Sequence, residues 1–143
     1  MDITPGLPET DNFQHWPPGR PLVVETARRV LEYTAGTLVI PMTVLIPQCW
    51  QEIHSGLTHY GIPVRHFVLH AGQETLRRRI EGGIEMCPAS FRLAHLPVCA
   101  QAARTWLHDE AQVIDTEGTP AEQVARTIAD AVEASPHEGD TAR

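Results

Sequence analysis

Three short apolar runs alternate with segments of helical periodicity, and this alternation restricts the possible folds more than any other feature of the chain. The runs cover residues 37–44, 64–71 and 111–116. Helical segments follow them at about 47–60, 73–81 and 90–108, and after 119. Strands separated by helices pair in parallel and need both faces covered. We therefore predict an α/β fold, a three-layer parallel sheet with helices on both faces. Pro41 disfavours the first strand, because proline has no N–H group to donate to a neighbouring strand.

The sequence predicts one domain with irregular ends. A chain of 143 residues is long enough for one domain with its own core and short for two. Residues 1–21 contain five of the twelve prolines and show no apolar period, which predicts an irregular arm. A helix should follow from residue 22 and end at Gly36. We expect a single α/β domain at 22–134 and a polar, disordered tail at 135–143.

Charge and cysteine usage exclude several classes of protein. The formal charge of -7 disfavours a nucleic-acid partner, because such binding depends on many basic side chains. Three cysteines without a C-x-x-C pair predict no metal site and no disulfide framework, so we expect a reduced, cytoplasmic setting. No signal peptide and no long apolar stretch is present, which predicts no membrane partner. An anionic small-molecule substrate would require a local basic cluster.

Such a cluster occurs on the short third helix. Arg77, Arg78 and Arg79 are consecutive, and Arg92 lies beyond the Gly82-Gly83 pair. Successive helical residues point about 100° apart, so at most two of the three can face a common ligand. A solvated helix surface is one interpretation. The other is a glycine-hinged segment whose guanidinium groups bind phosphoryl oxygens.

Polar residues follow the last predicted strand, at the edge where open α/β sheets bind ligands. Thr119, Pro120 and Glu122 have the spacing of a capping box with proline at the first helical position. A plain connection between strand and helix is the alternative. The predicted arm also contains polar and aromatic side chains, which either close the edge of a core or bind a substrate. His66 and His70 share a strand face, and we interpret them as core or boundary residues.

Several ordered segments together resemble the tunicamycin-resistance-type ATP-binding proteins, which belong to the small-molecule kinase-like P-loop nucleoside triphosphatases. The segments are DNFQHWPP at 11–18, RPLVVETARRVL at 20–31, GTLVIPMT at 36–43, RHFVLHA at 65–71, LRRRI at 76–80 and IDTEGTP at 114–120. The resemblance covers about residues 9–134. It implies a sheet of strand order 2-3-1-4-5 in which 37–44, 64–71 and 111–116 are strands three, four and five.

The resemblance also implies roles for individual residues. Phosphate-binding lid residues would be Arg77, Arg78, Arg79 and Arg92. The loop against the nucleotide base would comprise Asp115, Thr116, Gly118, Thr119 and Pro120, and the substrate side would comprise Phe13, Gln14, Trp16 and Arg20. The cofactors of the complete family form are ATP and Mg2+. The partner would be a small-molecule substrate.

The sequence departs from this family in one respect. No G-x-x-x-x-G-K-[ST] motif is present, and strand one, its phosphate loop and strand two have no counterpart. One hypothesis is therefore a truncated ATP-binding protein, related to phosphotransferases or nucleotide-dependent resistance proteins and inactive as this chain alone. The alternative is a non-enzymatic α/β module that binds a partner or a second copy of itself through exposed strand edges.

Overall fold

The computed structural model describes residues 13–83 and 89–134. The chain divides into two compact units, Met1–Val64 and Arg65–Arg143. The described part of the first unit is helical, whereas the second unit contains both strands and helices. The first twelve residues and the predicted tail at 135–143 lie outside the described residues.

The first unit contains a 3₁₀ turn, Phe13–His15, and two helices, α1 (Gly19–Thr34) and α2 (Pro47–His59). Helix α1 begins inside the predicted arm and ends at Ala35, whose left-handed backbone lets its N–H donate to Leu31 O at 2.8 Å. Helix α2 follows the prediction closely, because Pro47 begins it and Gly61, with a φ of 70°, lies just after its end.

The core of the first unit lies between α1 and α2. Val24 and Ala27 of α1 pack with Ile53 and Leu57 of α2, and each pair lies on one helical face. Gly56 allows the two helices to approach closely, since a Cβ atom at Gly56 would lie 2.8 Å from Val24 Cγ2. The helix pair is therefore held by apolar packing at a glycine contact.

The strand predicted at 37–44 does not form, so this prediction is wrong. Residues 37–46 have an extended, irregular backbone, and Val39 is 77% exposed. A strand requires a neighbour that accepts and donates backbone hydrogen bonds, and no strand occurs in the described part of this unit. Pro41 also removes one donor. Instead, Gln14 Oε1 accepts the N–H groups of Leu45 at 2.7 Å and Ile46 at 3.1 Å.

The second unit contains two strands, β1 (Phe67–His70) and β2 (Gln112–Asp115), which pair in parallel from Phe67 opposite Gln112 to His70 opposite Asp115. This confirms an α/β fold and the parallel pairing of the last two predicted strands. The sheet of the described residues has two strands, so the three-layer arrangement is not confirmed. Ile114 is buried, whereas Leu69 and Val113 keep exposed surfaces.

The helices of the second unit are α3 (Gln73–Glu81), α4 (Ala89–Ala94), α5 (Leu96–Ala102), α6 (His108–Glu110) and α7 (Ala121–Glu133). A π-helical turn, Ala103–Leu107, joins α5 to α6. The helix predicted at 90–108 is therefore interrupted, and α5 begins anew with Pro97 in its first turn.

The predicted capping box at the start of α7 is also wrong. Helix α7 begins at Ala121, and Pro120 is its N-cap with an extended backbone and no capping side chain. The Thr119 hydroxyl, which would have capped the helix, donates to Glu117 O at 3.3 Å instead. A local bond within the preceding loop has replaced the cap.

Candidate functional site

A pocket of about 340 Å3 lies in the second unit, between α3 and the loop that joins β2 to α7. Thr75, Arg78 and Arg79 of α3 line one side, and Glu117 and Gly118 of the loop line the other. Both elements follow the carboxyl ends of β1 and β2, because α3 begins after His70-Ala71-Gly72 and the loop begins after Asp115. The pocket thus lies at the ligand-binding edge of a parallel sheet.

Glu117 connects the loop to the start of α3. Its Oε1 accepts the N–H of Gly72 at 2.8 Å, and its carboxylate also accepts a hydrogen bond from the Thr75 side chain. The hydrogen bond from the Gly72 N–H contributes most, and together with the bond from Thr75 it holds the pKa of Glu117 below its ordinary value. The carboxylate therefore lies, ionised, at the positive end of the α3 dipole.

Arg79 connects α3 to the loop in the opposite direction. Its Nη1 donates to Thr116 Oγ1 at 2.8 Å and its Nη2 to Thr116 O at 2.7 Å. Thr116 is buried, and both its N–H and its hydroxyl donate to His70 O, at 2.8 and 2.9 Å. Arg79 therefore binds a residue that is already fixed to the end of β1.

The loop itself is a tight turn. The N–H of Glu117 donates to Asp115 Oδ1 at 2.8 Å, which is an Asx-type bond, and Gly118 has a φ of 63°. A left-handed backbone of this kind favours glycine. A Cβ atom at Gly118 would have no neighbour within 4 Å, so this position opens onto free space.

The structure brings together only some of the residues that the sequence predicted for this site. Arg78, Arg79 and Gly118 line the pocket, and Thr116 lies directly behind Arg79. Arg77, Asp115, Thr119, Pro120 and Arg92 are not among its lining residues. Arg92 lies on α4, where its Nε and Nη2 atoms are buried without a hydrogen-bond partner within the described part of the chain.

The sequence analysis did not identify Glu117 and Thr75 as site residues. An acidic residue in the loop after the last strand was a signal for Glu117, but its partners, Gly72 and Thr75, are more than 40 positions away. Thr75 lies in the first turn of α3, a helix whose sequence pattern points only to its arginines. Its Oγ1 also accepts a bond from Arg78 Nη2 at 3.1 Å.

The residues predicted for the substrate side lie in the first unit, where they connect secondary-structure elements. Gln14 O accepts bonds from Arg20 Nη1 at 2.9 Å and from Cys49 Sγ at 3.4 Å. Arg20 also forms an ion pair with Glu52. Trp16 is half-buried, and the side chain of Phe13 lies outside the described part. A groove of about 770 Å3 runs along α1 and α2 beside Arg20, but its carboxylates are already paired.

The arginines of the two units have different surroundings. In the first unit, Arg20, Arg28 and Arg29 each form an ion pair with a glutamate. The hydrogen bond from Arg28, with a smaller contribution from Arg29, lowers the pKa of Glu25 to about 2. In the second unit, the arginines of α3 and α4 form no ion pair with a carboxylate of the described residues; they are Arg77, Arg78, Arg79 and Arg92. Within the described part of the chain, Arg78 and Arg79 thus line the pocket without forming an ion pair.

The two cofactors of the resembled family fit this site unequally. The guanidinium groups of Arg78 and Arg79 suit the phosphates of a nucleotide. Within residues 13–83 and 89–134, no three His, Cys, Asp or Glu side chains come together as metal ligands. The described residues thus offer no cluster of three such side chains to Mg2+, an ion that commonly takes one or two carboxylates together with phosphate oxygens and water.

The chain is similar to a solved structure. It matches the tunicamycin resistance protein of Deinococcus radiodurans with 25% sequence identity and a TM-score of 0.66, over 93% of this chain and 74% of that chain. This finding supports the resemblance to tunicamycin-resistance-type proteins. No protein-family model and no curated protein matches the chain. None of its described helices is long and apolar enough to cross a bilayer.

Proposed function

We propose that this protein acts in antibiotic resistance of the tunicamycin type, and that it does so by binding the phosphates of a nucleotide or a phosphorylated small molecule in the Arg78 pocket. The similarity to the Deinococcus radiodurans protein supports the first part. The observation that carries the second part is that the arginines lining the pocket, Arg78 and Arg79, form no ion pair with a carboxylate of the described residues.

The charge distribution makes these arginines informative. The chain has a formal charge of -7, so carboxylates are abundant, and the arginines of α1 pair with them. The pocket nevertheless places Arg78 and Arg79 opposite one carboxylate, Glu117, which already accepts bonds from Gly72 and Thr75. A phosphate would provide acceptors for the guanidinium group of Arg78, since Arg79 already binds Thr116. The open backbone at Gly118 would lie against the base of a nucleotide.

We further propose that the 143-residue chain does not turn over ATP by itself. Phosphoryl transfer depends on positioning by a phosphate loop with its lysine and on a bound metal ion. The sequence contains no such loop, and it contains no lysine, since its 11 Lys and Arg residues are all arginines.

Growth assays in a tunicamycin-sensitive bacterium test the proposed function. Expression of the chain should raise the tunicamycin concentration that inhibits growth, and Arg78→Ala should reduce this protection. Arg77→Ala is the matched control, since Arg77 lies outside the pocket lining. Equal sensitivity of cells with and without the chain would contradict the resistance role. Calorimetry with MgATP should show no micromolar binding, and micromolar binding accompanied by phosphate release would contradict the proposed lack of turnover.

A second candidate is the non-enzymatic module that associates with a partner or a second copy. The observation that favours it is exposed apolar surface on extended segments, namely Val39 at 77%, Leu69 at 58% and Val113 at 38%. Sedimentation of the purified chain at increasing concentration tests this function. A dimer that Val39→Lys converts to monomer would support self-association through residues 37–44, whereas a monomer at every concentration would contradict it.

A further inference from the structure

Two hydrogen-bonded connections of opposite direction join α3 to the β2–α7 loop. In the first, the loop provides the acceptor, because Glu117 Oε1 binds the N–H of Gly72 at 2.8 Å. In the second, the helix provides the donors, because Arg79 binds both oxygens of Thr116 at 2.7 and 2.8 Å. We call these two connections the α3 clamp. Together they hold the two walls of the pocket at a fixed separation.

Gly72 shows that the start of α3 is shaped around the Glu117 carboxylate. A Cβ atom at Gly72 would lie 3.2 Å from Glu117 Oε1, which is closer than ordinary van der Waals contact. The backbone of Gly72 has a φ of -62° and a ψ of 154°, a conformation that any residue can adopt. The glycine is therefore explained by the close approach of Glu117 and not by backbone conformation.

The α3 clamp divides the three consecutive arginines by role. Arg79 uses Nη1 and Nη2 on Thr116, and Arg77 lies outside the pocket lining. Arg78 lines the pocket and is exposed, and its hydrogen bond within the described residues goes to the hydroxyl of Thr75. Of the three, Arg78 has the most donors that remain available to a ligand in the pocket.

We propose that Glu117 and Arg79 are positioning residues that hold the pocket in shape, and that Arg78 contacts the anionic group of the ligand. This inference rests on the proposed function for the role of Arg78, whereas the clamp itself can be tested without a ligand. The ligand class is a phosphate or pyrophosphate group, whose oxygens match the planar donors of a guanidinium.

The experiment uses the full chain labelled with 15N and follows the Gly72 amide by NMR. In the wild-type chain, this signal should shift as pH falls below 4.5, because protonation of Glu117 weakens the hydrogen bond that its carboxylate accepts from the Gly72 N–H. The clamp holds above the lowered pKa of Glu117 and opens below it. Glu117→Gln should abolish this titration. An unchanged Gly72 titration in Glu117→Gln would overturn the clamp.

The second step titrates pyrophosphate, and then ATP, into the chain at millimolar concentration. Arg78→Ala should weaken pyrophosphate binding roughly tenfold, the effect of one lost charge-assisted hydrogen bond, while the Gly72 signal stays at its wild-type position. Arg77→Ala should leave both unchanged. Arg79→Ala should weaken binding and also move the amide signals of Thr116 and Gly118. Equal weakening by Arg77→Ala and Arg78→Ala would overturn the division of roles.

The two failures can be distinguished. A wild-type chain that shows no response to pyrophosphate or ATP overturns the proposed phosphate site, and with it the ligand role of Arg78. The clamp is then decided by the Gly72 titration alone, where a signal that follows Glu117 confirms it and one that does not rejects it.

Discussion

The two units of this chain use arginine in opposite ways. In the first unit, Arg28 bridges Glu25 and Glu32 along α1, and Arg20 reaches from α1 to Glu52 on α2. In the second unit, Arg78 borders a pocket and Arg92 has buried nitrogens without partners in the described part of the chain. The arginines of α1 that pair with carboxylates stabilise the helices of the first unit. Arg78, which pairs with no carboxylate of the described residues, is the arginine we propose for binding, whereas Arg79 holds the loop.

The contrast also applies to buried polar groups. Gln14 is buried in the first unit. Its carboxamide oxygen accepts hydrogen bonds from two backbone N–H groups, and its backbone carbonyl accepts bonds from Arg20 and Cys49. Thr116 is buried in the second unit, where it binds His70 O and Arg79, and Arg79 lines the pocket. The buried Gln14 therefore connects segments within the first unit, whereas the buried Thr116 connects the residues that hold the pocket of the second unit.

The largest expected effect is a loss of stability when the packing of the first unit is disrupted. Gly56→Val should lower the free energy of unfolding by about 3 kcal/mol, because the new side chain meets Val24 in the closest contact between α1 and α2. Urea unfolding, followed by circular dichroism, measures it. Ser55→Ala, on the exposed side of α2, is the control and should change stability little. A change below about 0.5 kcal/mol in Gly56→Val would mean that the helices are not held together at this glycine.

The second effect concerns Gln14 as scaffold. Gln14→Ala should cost about 2 kcal/mol of unfolding free energy, since the N–H groups of Leu45 and Ile46 lose their acceptor. Gln48→Ala, whose amide bonds an exposed glutamate, serves as the matched control. If Gln14→Ala leaves stability unchanged but reduces ligand binding, the first unit contains a substrate site and the contrast between the units fails.

The third effect concerns the loop at the pocket. Gly118→Val should cost about 1–2 kcal/mol, because a β-branched residue is strained at a φ of 63°, and it should also weaken the pyrophosphate response. Gly118→Asn separates backbone strain from side-chain chemistry, since asparagine tolerates this conformation. The same unfolding and NMR measurements apply to both variants. Equal stability of the wild type and Gly118→Val would show that the loop does not hold a left-handed turn.

The smallest effect has the opposite sign in the two units. Arg92→Met should raise the free energy of unfolding by about 1 kcal/mol, because it removes two buried donors that lack partners in the described part. Arg20→Met should lower it, because it removes the bonds to Gln14 and Glu52. Thermal unfolding of the two variants in phosphate-free buffer measures the comparison. A loss of stability in Arg92→Met would indicate that Arg92 is a scaffold residue, as Arg20 is.

The sequence predicted local structure well where the signals were local. Helices α2 and α3 were predicted almost to the residue, because Pro47 starts one and Gly82 follows the other. The strand at 37–44 was not predictable from its own residues, since a strand depends on a neighbour. The start of α7 failed for a related reason, because Thr119 bonds to Glu117 O and not to the helix.

The sequence could predict which secondary-structure elements form the candidate site, but not which of their side chains bind each other. The position of the loop after a parallel strand and the basic character of α3 identified both walls of the pocket. The sequence could not show which arginine binds the loop, because the partner of Arg79 is 37 positions away at Thr116. Glu117 was missed for the same reason. Long-range hydrogen bonds assign the roles, and a single sequence does not contain them.

The π-helical turn at Ala103–Leu107 determines which side chain reaches β1. A turn of this kind contains one residue more than an α-helical turn, and it rotates everything after it by about 100°. His108 follows it directly, and its ring meets that of His70 edge-on, with centroids 4.9 Å apart. Deletion of one residue from this turn should therefore bring a different side chain to His70.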